Sequence, residues 1–398
     1  MTFYEELKWR GLIKDMTNNE DFEEKLNKGG MTFYWGTDPT ADSLHIGHYS
    51  SLLMAKRLML HGHKPILLIG GSTGMIGDPR PTAEREIIDK EEVFKNAECL
   101  KKQVASIVGE DVEFVNNYDW TKDVTFLDFL RDIGKYINVN YMLSKDIIKR
   151  RLDTGITYAE FSYTLLQAFD FLKLFESRNC ELQIGGSDQW GNLTSGVELI
   201  GKKLGKEAYA FTMPLILDAT GNKFGKSEGN ALWLDINKTS GYDIYQYLIN
   251  SSDEKVEEYL KVFTFLSREE IEDIMKKHKE KPEDRLAQKT LAYEFVKDLH
   301  GAEEADAAKN KSEALFGKMD TDSLEIEEIE AKVGSNILDV LVSAGITPSK
   351  SEGRRLVTQG GISVDSEKIL DPNFIVENEV VVIQKGKKVF KKVKLTKW

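Results

Sequence analysis

The feature that most restricts the fold is a repeated unit: a short apolar run, a glycine, then a stretch with helical period. Met31-Thr32-Phe33-Tyr34-Trp35 leads into Gly36, and Pro65-Ile66-Leu67-Leu68-Ile69 into Gly70-Gly71. Leu182-Gln183-Ile184 leads into Gly185-Gly186, and Phe211 to Leu217 forms a fourth run. Strands buried on both faces read as nearly continuous apolar runs, and strands that alternate with helices assemble into a mostly parallel sheet. The pattern predicts an α/β, Rossmann-like domain over residues 1–228. Its ligands are expected beyond the carboxyl ends of the strands, where the glycine turns fall.

From Gly241 to His300 the chain changes to helical patterns rich in Lys, Glu and Leu. An α-helical domain is expected over 229–318 and an acidic linker over 319–334. A small basic α+β domain is expected over 335–398, with helices near 337–342 and 349–357 and a closing β-hairpin. Charge supports the division. Residues 335–398 carry eleven Lys/Arg against seven Asp/Glu, so this part is +4 while the chain as a whole is −12. An acidic body with a basic end suits a polyanionic partner that touches selected places; the alternative is a solvated charged strand pair.

No apolar run approaches the roughly 18 residues of a membrane span. The opening Met1-Thr2-Phe3-Tyr4-Glu5-Glu6-Leu7 lacks the order of a signal peptide, and only Cys99 and Cys180 are present. Two cysteines build neither a disulfide framework nor a metal cluster, and a cytoplasmic protein is expected.

Two motifs carry chemistry. The first is Pro39-Thr40-Ala41-Asp42-Ser43-Leu44-His45-Ile46-Gly47-His48, directly after a strand. It is expected to open a helix reaching about Gly62, with His45 and His48 on one face of the first turn, where free backbone N–H groups attract anions. Gly47 lets a flat nucleotide approach the backbone. A two-histidine metal site is the alternative, but no further Cys or His ligand lies nearby. The second motif is Lys223-Phe224-Gly225-Lys226-Ser227, a phosphate-grasping loop. A Walker P-loop would require glycine at Thr220, so that reading fails by one residue.

A third pattern supplies a pocket. In the helical stretch Phe161 to Asp170, the residues Tyr163, Gln167 and Asp170 fall at i, i+4 and i+7 and share one stripe. Polar groups stacked along an otherwise apolar helix are costly unless they bind something polar or close a hydrogen-bonded core network. Tyr34, Asp78, Gln183 and Gln189 fall at strand ends or in the loops after them.

The ordered pair His-Ile-Gly-His and Lys-Phe-Gly-Lys-Ser resembles the signature motifs of class I aminoacyl-tRNA synthetases. Essentially the whole chain is similar to the bacterial tyrosyl-tRNA synthetase family. The similarity rests on 38–48, Gly77-Asp78-Pro79, Asn117-Tyr118-Asp119-Trp120 and Gln183 to Asn192. The resemblance implies that Tyr34 and Asp170 bind the phenolic hydroxyl of L-tyrosine, with Asp78, Tyr163 and Gln167 at its ammonium group and Gln189 also in that pocket. It implies ATP contacts for Gly36, Asp38, His48, Gly185, Asp188 and Lys226. Thr40, His45, Lys223, Lys226 and Ser227 would hold the departing pyrophosphate, with Arg85 on a mobile loop. ATP would come with Mg2+, and no metal site caged by the protein is implied. The helical domain would lie on the anticodon side. The last domain resembles a small RNA-binding module, with Lys350, Arg354, Arg355, Lys387, Lys388, Lys391 and Lys392 meeting phosphates of tRNA(Tyr). A homodimer is implied, with 124–141 near its interface.

The residues depart from the family pattern in places. Trp35 stands where a small residue more often faces the ATP ribose, and Thr37 replaces a frequent aromatic. The loop after Pro79 is one residue short, with Arg80 in place of an expected lysine. The implied reaction joins tyrosine and ATP into tyrosyl-adenylate and then passes tyrosine to the 3' end of tRNA. Two rivals are a tryptophanyl-tRNA synthetase, whose substrate has no hydroxyl for Tyr34 and Asp170, and an RNA-binding protein that has lost catalysis.

Overall fold

A computed structural model of the 398-residue chain describes residues 1–79, 88–109, 112–227, 230–316, 326–365, 367–386 and 389–396. These form two compact units, Met1–Ala305 and Asp306–Trp398.

The first unit is built on a six-stranded sheet of β1 (Asp15–Met16), β2 (Thr32–Thr37), β3 (Lys64–Ile69), β4 (Glu113–Asn116), β5 (Cys180–Gly186) and β6 (Tyr209–Met213). The spatial order is β1-β6-β5-β2-β3-β4; β2 to β6 run parallel, and β1 is antiparallel to β6. The four apolar runs are therefore strands. β6 stops at Met213, short of the predicted Leu217, because Pro214 has no N–H for the ladder. From β2 the chain steps outward through β3 to β4 and then returns to place β5 on the other side of β2. The order thus reverses between β2 and β5, which opens a crevice at their carboxyl ends.

Helices cover both faces. The helix Tyr158–Arg178 and the strands beneath it share a core of Tyr34, Ile66, Leu68, Phe169, Phe171 and Leu172. It packs closely on the helix Trp190–Leu204 at Gly196, where a Cβ would come within 2.9 Å of the Phe171 ring. The helices Gly241–Ile249, Val256–Phe263, Arg268–Glu280 and Leu286–His300 belong to the same compact unit. Asp298 ties them to the helix Ile46–Leu60 by accepting from the Tyr49 hydroxyl at 2.6 Å and from Lys56 Nζ at 2.5 Å.

The second unit holds a five-stranded sheet whose strands run Glu367–Ile369, Ile362–Val364, Val380–Lys385, Val389–Thr396 and Ile326–Lys332 in space. The helices Ile337–Ser343 and Lys350–Thr358 match the expected pair, and the closing hairpin is present. The linker expectation needs correction. Residues 326–332 are a strand parallel to Val389–Thr396, with Ile329 and Ala331 in the core of this unit. Glu330 and Lys332 are exposed while Ile329 and Ala331 are buried, so a strand with one wet face was hidden by its acid content. No described helix is long and apolar enough to cross a membrane.

Candidate active site

The histidine motif closes on itself. His45 is the N-cap of the helix Ile46–Leu60 rather than a member of its first turn, and His48 is the third helical residue. Gly47 N–H donates to His45 Nδ1 at 3.1 Å, and His45 N–H donates to His48 Nδ1 at 3.4 Å. The rings lie 3.9 Å apart between centroids. A neutral imidazole that accepts at Nδ1 carries its proton on Nε2, so both rings are left as donors at a helix N-terminus. Burial, His45 and Lys223 together push the His48 pKa down to about 3, so that ring is neutral near pH 7.

The lysine motif is seated on this turn. Lys226–Ser227 form a short strand, β7, paired with β8 (Asn230–Ala231), where a P-loop would begin a helix. Ile46 N–H donates to the Leu232 carbonyl at 2.8 Å, and His45 bridges to Trp233. Gly225 has φ +85°, and a Cβ there would fall 1.8 Å from Ile46 Cγ2. Only glycine fits that turn. The fold therefore brings the two motifs together, and His45, His48 and Lys223 line one cleft. Arg80, Arg85, Lys387 and Lys388 lie outside the described residues, as do the side chains of Lys226 and Ser227.

That cleft has a volume of about 420 Å³ and lies at the carboxyl ends of β2 and β5. Gly36, Asp38, Thr40, Gly185, Asp188 and Trp35 line it, and Trp35 is only 3% exposed. At its inner end sit Tyr34, Asp170 and Gln167. The Tyr34 hydroxyl and Gln167 Oε1 are buried and have no hydrogen-bond partner among the described residues, and neither does Gln183 Oε1 nearby. Buried polar groups are rarely left unpaired, and three lining one cleft mark the place of a polar ligand.

Asp170 is 2% exposed and is held from behind. Asn117 Nδ2 donates to its Oδ2 and Trp120 Nε1 to its Oδ1, each at 2.9 Å. Burial pushes the carboxyl up to about 7, these two donors oppose that shift, and the Asp38 charge adds to it. Burial also raises the Tyr34 phenol, with the Asp170 charge beside it, so Tyr34 stays protonated.

The remaining polar residues form two networks. The Tyr163 hydroxyl donates to Asp38 Oδ2 at 2.8 Å and the Thr73 hydroxyl to Asp38 Oδ1 at 2.6 Å. Asn117 Nδ2 also donates to Thr73 Oγ1 at 2.9 Å, which joins this network to Asp170. Gln189 Nε2 donates to Asp78 Oδ2 at 2.8 Å and Asn192 Nδ2 to Asp78 Oδ1 at 3.2 Å. Asn117, Trp120, Thr73 and Asn192 carry no role in the sequence reading. Asn117 and Trp120 lie in a stretch that matched the family, but nothing in their spacing points to Asp170.

In the second unit Lys350, Arg354 and Arg355 are exposed along one short helix, and Lys350 pairs with Asp339. Of the two lysines expected at tRNA phosphates in the strand Val389–Thr396, Lys391 is half-buried and Lys392 is buried. Adjacent strand residues point to opposite faces, and Lys392 is 7% exposed. Among the described residues, no group of three His, Cys, Asp or Glu is placed to hold a metal ion.

Residues 26–317 match the family model of class I tRNA synthetases (W and Y), and 315–393 match the tyrosine–tRNA ligase SYY-like C-terminal domain. A tyrosine–tRNA ligase of Streptococcus gordonii is 45% identical over 414 residues, covering 98% of this chain and 99% of that protein. One of Streptococcus pyogenes serotype M3 is 44% identical over 413 residues with the same coverage. The solved structure of a C-terminally truncated mitochondrial tyrosyl-tRNA synthetase of Aspergillus nidulans is 32% identical. It superposes with a TM-score of 0.71 and covers 79% of this chain and 94% of that one.

Proposed function

Because the chain belongs to the class I tRNA synthetases for tryptophan and tyrosine, and aligns over nearly its full length with tyrosine–tRNA ligases, we propose the following course for its reaction. The enzyme is a tyrosine–tRNA ligase. It joins L-tyrosine and ATP into tyrosyl-adenylate with release of pyrophosphate, then transfers the tyrosyl group to the 3' end of tRNA(Tyr). The observation that carries the choice of amino acid is the unpartnered Tyr34 hydroxyl in the same cleft as the pinned Asp170. A phenolic hydroxyl between them accepts from Tyr34 and donates to Asp170. Tryptophan and phenylalanine leave both groups unpaired, and a site built to bond a hydroxyl rejects the deoxy analogue strongly. The ~10⁵ ratio known for this class of enzyme is the general example of the effect.

Asp78, Tyr163, Gln167 and Gln189 take the ammonium end. Gly36, Asp38, His48, Gly185 and Asp188 take the nucleotide, and ATP enters as its magnesium complex. The tyrosine carboxylate is ionised at neutral pH and attacks the α-phosphorus directly, so no general base is needed. The O–P bond forms in line with the P–O bond that breaks, and pyrophosphate leaves with the electron pair. Catalysis then rests on positioning and on donors aimed at the developing phosphate charge. Thr40, the Nε2–H groups of His45 and His48, and Lys223 surround that position, joined by Lys226, Ser227 and Arg85. The basic residues Lys350, Arg354, Arg355 and Lys391 bind tRNA phosphates.

The protein works as a cytoplasmic homodimer. Phe126, Leu127 and Val139 support the dimer, since they expose apolar surface within the expected interface and Leu127 is 75% exposed. The test is incubation with labelled tyrosine, ATP and tRNA(Tyr). An alkali-labile tyrosyl ester on the tRNA 3' end is expected, and adenylate without ester would restrict the activity to the first step.

A further inference from the structure

Gly225 separates the two lysines of the phosphate motif, and both of its backbone polar groups are held. Its carbonyl accepts from Leu232 N–H at 3.1 Å. Its N–H donates to the hydroxyl of Tyr247, at 2.9 Å, from the helix Gly241–Ile249. The Tyr247 ring lies edge-on to Phe224, 5.3 Å between centroids. Phe224 is buried and stacks on Phe263 at 4.7 Å with 22° between planes, and meets Tyr259 at 4.8 Å. Phe263 packs on Phe295, whose ring is 4.6 Å from that of Tyr49 on the histidine-bearing helix. The apolar part of this seat is non-directional, so it can hold the segment in more than one register. The Tyr247 hydroxyl is the directional contact, and it fixes one peptide of the turn against Ile46 and Gly47.

We propose that Tyr247 is a positioning residue for tyrosine activation: its hydroxyl latches Gly225 so that the 223–227 segment stays seated on the histidine turn. The latch rests on the reading of that segment as the holder of the departing pyrophosphate. Tyr247 does not line the cleft and acts through the backbone between Lys223 and Lys226. Without the hydroxyl the Gly225 N–H loses its protein partner while the aromatic seat remains. The segment then spends more time unseated, and Lys223 spends less of each encounter beside His45 and His48.

The test is Tyr247→Phe, which removes one oxygen and keeps the ring. Two readouts are needed. Single-turnover formation of tyrosyl-adenylate is expected to slow by about three- to tenfold, the loss of one neutral hydrogen bond, with the Kd for tyrosine unchanged. Tryptic cleavage after Lys223 and Lys226 is expected to accelerate in the variant, which reports seating without reference to activity. Faster cleavage with slower activation and unchanged tyrosine binding supports the latch. Unchanged cleavage and rate, or a faster rate, overturns it. Equal losses in tyrosine binding and thermal stability also overturn it, since they mark a merely structural tyrosine. If the parent enzyme forms no adenylate, the functional reading fails, while the cleavage comparison still decides the latch.

Discussion

Trp120→Phe tests how the pocket keeps a buried carboxylate usable. The change keeps an aromatic ring and removes the indole N–H that donates to Asp170 Oδ1 at 2.9 Å, leaving Asn117 alone behind the carboxyl. Burial already pushes Asp170 up to about 7 against the pull of both donors. A hydrogen bond to a charged group contributes about 1.5–3 kcal/mol net, and one pKa unit corresponds to ~1.36 kcal/mol, so losing this donor should raise Asp170 by about one to two units. In the proposed role tyrosine donates its phenolic proton to Asp170, so binding would need the ionised form. Affinity therefore falls as pH drops through the Asp170 pKa, by up to about tenfold per unit below it. The parent enzyme should lose tyrosine affinity below about pH 7. The variant should show the same profile displaced upward by about one to two units and recover affinity at high pH. Calorimetric titration with tyrosine across this range reads the midpoint. A uniform loss with an unmoved midpoint would refute the reasoning, because it would mean that Trp120 acts through packing alone.

Three further outcomes are expected. Tyr34→Phe should weaken tyrosine about three- to tenfold and leave phenylalanine unchanged, as equilibrium binding of each would report. His45→Ala should lower the single-turnover activation rate by about a hundredfold or more with little change in ATP affinity, because its Nε2–H is needed chiefly in the transition state; a variant with normal single-turnover activation would remove His45 from the chemistry. Combined replacement of Lys350, Arg354 and Arg355 by alanine should flatten the salt dependence of tRNA binding by roughly 0.7–0.9 per lost phosphate contact. Tyrosyl-adenylate formation should be unaffected, and filter binding at several salt concentrations checks both.

The central strands were legible because β2, β3 and β5 lie between neighbours and helices on both faces, which demands continuous apolar runs. β4 carries only Phe114 and Val115 between polar residues, and β1 is two residues long, so neither leaves a pattern. The strand 326–332 hid among glutamates because only alternate residues face its core. Part of the cleft was legible, since its lining residues Tyr163, Gln167 and Asp170 share a helical stripe. What lies behind it was not. Asn117 and Trp120 sit behind Asp170 as its hydrogen-bond donors, and Tyr247, 22 residues further along the chain, reaches back to Gly225. Such contacts depend on the angle between packed elements, which no local spacing encodes. Lys392 shows the converse: a lysine expected at tRNA phosphates is buried, because the pleat sends it to the face opposite Lys391.

The most direct test of the account is pyrophosphate exchange into ATP with tyrosine, tryptophan and phenylalanine offered separately to the intact enzyme. Exchange with tyrosine alone is predicted, because of the three only tyrosine carries a hydroxyl that could pair both Tyr34 and Asp170. Comparable exchange with tryptophan or phenylalanine would contradict the roles given to those two residues, and no exchange with any of the three would contradict the activity itself.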